Sequence, residues 1–70
     1  MTEYAVVIED AGKNYSAYVP DLPGCVAVGS SVDEVKTEIR AATALHIASL
    51  REHGEEVPPA TSLASTVQVA

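Results

Sequence analysis

Tyr18-Val-Pro-Asp-Leu-Pro-Gly-Cys25, followed by Val26-Ala-Val-Gly29, is the stretch on which the reading of this chain turns. Pro20 and Pro23 fix φ and remove two backbone donors, so neither suits a central strand, while Asp21 and Gly24 add turn chemistry. The block is a rigid bend between apolar runs. Upstream of it, Glu3–Glu9 alternates Tyr4, Val6 and Ile8 with Ala5 and Val7, a strand with two apolar faces. Asp10-Ala-Gly-Lys-Asn14 reads as a turn in which Gly12 and Asn14 tolerate positive φ, and Tyr15–Val19 returns antiparallel to the first strand. Downstream, Cys25–Val28 is β-branched enough for a third strand, which Gly29-Ser30 releases.

The helix announces itself by its ends. Ser31 followed by Glu34 is a capping box, and Asp33 complements the positive end of the dipole, so the helix begins at Val32. Val32, Val35, Ile39, Ala42, Thr43, His46 and Leu50 share one face, with Ile47 at its edge, and this stripe packs on the sheet. Ala41, Leu45 and Ala48 form a minor strip on the outer surface. Gly54 is placed for a left-handed C-cap, and Pro58-Pro59 stops the helix from resuming, so it ends near His53. Thr61–Ala70 alternates Leu63, Val67 and Val69 with smaller or polar residues, as a fourth strand or a loosely held tail would.

The expectation is an α+β fold, β-β-β-α-β, with a small antiparallel sheet covered on one face by one helix. The other face and the strand edges are left bare, which predicts pairing with another chain, most simply a homodimer. Seventy residues make a single domain, 1–70, with a thin core built from aliphatic residues and three Tyr, since Phe and Trp are absent. No second helical pattern suggests a C-terminal DNA-binding domain.

Ten acids against four bases give a net charge of -6, which argues against direct nucleic-acid binding and fits a basic protein partner better. Cys25 is the only cysteine, so neither an internal disulfide nor a thiolate zinc site can form, and it has no basic neighbour in sequence to activate it. His46 and His53, seven apart, are too distant for easy chelation. Glu9, Asp10, Asp21, Glu55 and Glu56 sit in turns or at element ends and make no carboxylate cluster for two-metal catalysis. The four glycines stand alone, so there is no phosphate loop. The expectation is no enzyme, no catalytic or metal site and no cofactor. Without a signal sequence or a membrane-length apolar run, the cytoplasm is the expected location.

The order of these features, from Tyr15-Ser-Ala-Tyr-Val-Pro-Asp-Leu-Pro-Gly-Cys25 through Val28-Gly-Ser-Ser31, Val32-Asp-Glu-Val35, Leu45-His46 and Leu50 to Gly54-Glu-Glu-Val-Pro-Pro59, resembles the HicB-like antitoxin family. The likeness covers about residues 4 to 60. The resemblance implies a truncated ribonuclease-H-like sheet without catalytic carboxylates. It also implies a partner, a small basic HicA-like toxin that cleaves messenger RNA and is neutralised by occlusion of its active site. Asp21, Leu22, Pro23, Gly24 and Cys25, with the open sheet edges, are the candidate partner contacts, and Ser31, Glu34, Gly54 and Pro58 the structural markers. Many family members carry a further DNA-binding segment for operator control, which puts direct autoregulation here in doubt. The alternative function is a self-assembling stand-alone structural or ligand-binding module with no toxin partner.

Overall fold

A computed structural model describes residues 2–70. Three strands, β1 (Val7–Asp10), β2 (Tyr15–Tyr18) and β3 (Val26–Gly29), precede one helix, α1 (Val32–Glu52). The sheet is antiparallel in the order β1-β2-β3, so every strand pairs with its neighbour in sequence. Val7 faces Tyr18 and Ile8 faces Ala17 across the first pair, and Tyr18 faces Val26 and Ala17 faces Ala27 across the second. The α+β architecture expected from the bend and the helix signals is present.

This register fixes the two faces. Ala17 is buried, and its neighbours Ile8 and Ala27 are half-buried on the same side, beneath α1. Val19, Leu22 and Cys25 complete that core from the bend, and the helix contributes Val35 and Ile39. Of the expected helical stripe, Val35 and Ile39 are buried, and Ala42, Thr43, His46, Ile47 and Leu50 are half-buried. Val32 is a correction: it is the first residue of the helix and is 39% exposed. Leu45 lies on the outer strip and is 72% exposed, as its position in the pattern requires.

The bend is built from two consecutive tight turns that share Leu22. The Leu22 amide donates to the Val19 carbonyl at 3.0 Å, and the Cys25 amide donates to the Leu22 carbonyl at 3.0 Å. Pro20 and Pro23 each occupy the second position of a turn, where no donor is needed, and Gly24 follows Pro23 at φ 85°. The Val19 amide then donates to the Cys25 carbonyl at 3.1 Å and closes the loop, with the Leu22 side chain sealed beneath it.

At the helix start the Ser31 hydroxyl accepts from the Glu34 amide at 3.0 Å. The reciprocal half of the capping box is displaced by one residue, since the Glu34 carboxylate accepts the Ser30 hydroxyl at 2.6 Å. The helix ends in a Schellman arrangement: the Glu55 amide donates to the Leu50 carbonyl at 2.8 Å and the Gly54 amide to the Arg51 carbonyl at 3.1 Å, with Gly54 at φ 69°.

Several sequence boundaries shift. The first strand begins at Val7 rather than Glu3, the third at Val26 rather than Cys25, and Asn14 does not take positive φ, which falls to Gly12 alone in that turn. Of the two readings of 61–70, the tail is the one found, for these residues form no strand.

Candidate functional site

Three surface features surround the core. The first is the bend. Leu22 is 0% exposed and Cys25 3%, so two of the five candidate contact residues serve packing instead. Pro23 and Gly24 are exposed, and Asp21 is half-buried. The Thr43 hydroxyl already donates to the Ile39 carbonyl at 2.7 Å, so the Cys25 thiol, 3.6 Å away, is the donor of that pair. The thiol is a small buried hydrophobe with a weak hydrogen bond.

Asp21 has a role that its sequence position did not reveal. Its carboxylate accepts the Thr61 and Ser62 amides, each at 2.9 Å, and the Ser62 and Thr61 hydroxyls at 2.7 and 3.3 Å. The bend thereby clasps the chain beyond the helix. A second tie lies nearby, where the Tyr4 hydroxyl donates to the Pro58 carbonyl at 2.6 Å. Donation by the Ser62 amide and hydroxyl, then by Thr61, holds the Asp21 carboxyl below its ordinary value. A carboxyl whose pKa is depressed on folding contributes fully above its unfolded pKa and loses that contribution as pH falls through the folded one. The clasp is therefore expected to open only in acid below the usual carboxylate range. The Thr61 and Ser62 amide resonances should shift together there, and Asp21→Asn should show that opened spectrum at neutral pH.

The second feature is the uncovered sheet face. Alternation places Val7, Tyr18 and Val26 in one cross-strand row, with Glu9, Ser16 and Val28 in the next. Val26 and Val28 are 64% and 63% exposed and Tyr18 39%, an apolar patch beside an acid. None of the described residues covers Val26 or Val28.

The third is a groove of about 500 Å³ between the start of the chain and the helix, lined by Tyr4, Val6 and Ile8 on one wall and Ile39, Thr43 and Ala44 on the other. Lys36 and Arg40 also line it, two of the four bases in the chain. It runs along β1, which is paired on one side only.

Among the described residues, no group of three or more His, Cys, Asp or Glu could hold a metal ion. His46 is half-buried against Gly24, and His53 Nδ1 donates to the Ser49 carbonyl at 2.7 Å as part of the helix terminus. Among the described residues, no helix is long and apolar enough to cross a membrane.

These surfaces belong to a fold with known relatives. Residues 4–70 match the family described as the HicB-like antitoxin of bacterial toxin–antitoxin systems. Among curated proteins, the UPF0150 protein Ta0767 of Thermoplasma acidophilum is 37% identical over 57 residues, covering 80% of this chain and 83% of that one. An uncharacterized 14.9 kDa protein from the rep-hol intergenic region of Haemophilus phage HP1 is 34% identical over 55 residues. That match takes in 79% of this chain but only 41% of the phage protein, so the chain spans well under half of that relative. Among solved structures, a chain of the HicA3 and HicB3 toxin–antitoxin complex superposes with a TM-score of 0.74 at 27% identity, covering 84% of this chain and 70% of that one.

Proposed function

Because this chain belongs to the HicB-like antitoxin family, we propose that it binds a small basic HicA-type toxin that cleaves messenger RNA, and neutralises it by covering its active site. The observation that carries this reading is the likeness to a chain of the HicA3 and HicB3 complex over 84% of the present chain. Family membership points to a role without catalysis. The work of such a protein is occupation, and it is done in the cytoplasm, where the toxin meets its RNA.

The uncovered sheet face is the surface offered to the toxin. Its rows of Val7, Tyr18 and Val26 and of Ser16 and Val28 supply an apolar centre, and Glu9 an acidic margin. A net charge of -6 attracts a basic partner and speeds encounter more than it tightens the final complex. From the bend, Asp21, Pro23 and Gly24 remain as rim contacts.

The test is a tagged pull-down from the native cytoplasm at moderate salt, read by intact mass spectrometry. Recovery of a small basic protein at fixed stoichiometry is expected, with ribonuclease activity that appears once this chain is removed. Val26→Arg places a cation in the apolar centre and should weaken that complex about tenfold or more while leaving the fold intact, since the side chain is 64% exposed. Recovery of nothing but copies of this chain would overturn the reading in favour of a self-assembling module.

A further inference from the structure

Beyond the Asp21 clasp the chain carries an arm whose apolar side chains are left uncovered by the other described residues. Leu63, Val67 and Val69 are 95%, 86% and 88% exposed, although their spacing puts all three on one side of an extended segment. The arm stands off the body. The molecule measures 46 × 26 × 19 Å, its longest dimension well beyond the ~32 Å of a 21-residue helix. Its radius of gyration is 13.3 Å where a compact chain of this length has about 11 Å. The four hydrogen bonds from Thr61 and Ser62 to Asp21 fix the point of departure at the bend.

The same molecule holds a groove that lacks an occupant. The β1 edge is unpaired, and Val6, Ile8 and Ile39 leave an apolar channel of about 500 Å³ beside it. From Ser62 to Ala70 an extended chain reaches ~26 Å, enough to follow β1 and the residues before it from end to end. Charge narrows the choice of occupant. All ten acids lie at or before Glu56, and residues 57–70 carry no charged side chain, so the arm is the longest uncharged run of this acidic chain and can approach another copy without side-chain repulsion of its own.

We propose that residues 63–69 of one copy lie in the groove between β1 and α1 of a second copy, adding a strand to the free β1 edge, and that the exchange is reciprocal. Pairing by strand addition satisfies the open edge with main-chain hydrogen bonds, while alternate side chains of the arm enter the apolar channel. The arrangement uses neither the uncovered sheet face nor a toxin, so it stands or falls separately from the proposed function.

The experiment mixes two full-length variants, Arg40→Cys at natural isotope abundance and Val67→Cys labelled with nitrogen-15, and treats them with a short bismaleimide. Cys25 is 3% exposed and does not compete. A light-plus-heavy cross-linked product is expected. Its absence overturns the proposal, as does a cross-link confined to one chain in the double variant. Light scattering gives an independent reading: the wild-type chain should have the mass of a dimer, and Val67→Lys, which sets a third cation beside Lys36 and Arg40, should halve it with the helical circular dichroism unchanged. A dimer that survives Val67→Lys at full strength also overturns it.

Discussion

Gly29→Ala is expected to destabilise the domain by about 3 kcal/mol, at the upper end of what overpacking a small core costs. The end of β3 passes directly under the first turn of α1. A Cβ at residue 29 would lie 2.7 Å from the Val35 amide nitrogen, 2.9 Å from its Cα and 3.1 Å from the Glu34 carbonyl carbon. All three are backbone atoms in a helix whose Ser31 cap and Val35 core contact hold them in place, so no side chain can rotate away. Relief requires the helix to lift off the sheet, which opens the layer between Ala17, Val35 and Ile39. A chain of 70 residues has only roughly 4–10 kcal/mol to lose. The check is urea unfolding followed by circular dichroism. A loss below 1 kcal/mol would mean that the helix stands farther from β3 than these distances allow.

Leu22→Ala should be comparable, about 3 kcal/mol, from lost burial and the cavity left behind. Leu22 is fully buried, and its backbone belongs to both turns of the bend, so the loop cannot collapse into the space without breaking the Val19 and Cys25 hydrogen bonds. Pro23→Ala, one residue away and exposed, provides the contrast and should cost well under half as much. Equal losses for the two variants, measured by the same unfolding experiment, would show that the rigidity of the bend matters and the anchor does not. Should Leu22→Ala also reduce partner capture, the loss ought to track the unfolded fraction, since the side chain presents no surface of its own.

The comparison between Leu22 and Pro23 shows where sequence reading reaches its limit. Proline and glycine constrain the backbone locally, so Pro20, Pro23, Gly24 and Gly54 announced the bend and the helix end, and Ser31 with Glu34 announced its start. Whether a residue inside the bend points in or out depends on what lies across the fold, and Leu22 in a polar-looking turn gave no sign of being a core residue. Asp21 behaves likewise: its four donors come from residues 40 and 41 positions away, beyond any local pattern. Gly29 was legible only as the residue that releases a strand, because its contact with Val35 is a tertiary distance. The fourth strand fails for a related reason. Leu63, Val67 and Val69 alternate as a strand should, but alternation reports a readiness to pair and not the presence of a partner. Register mattered most for the uncovered face, since Tyr18, Val26 and Val28 are ordinary strand residues until pairing puts them on the side opposite α1.

The order in which the strands pair carries a consequence for how the molecule comes into being. Each strand joins the one before it, so the sheet itself needs only short loop closures. Topologies of this kind have low contact order and cross their folding barrier quickly for proteins that contain a sheet. The exceptions are the hydrogen bonds from Tyr4 to Pro58 and from Ser62 to Asp21, which close the widest loops in the chain. Spanning 54 and 41 residues, they carry the largest closure entropy of the hydrogen bonds described above and are expected to be the last to form, so the final segment is fastened onto a body that has already folded.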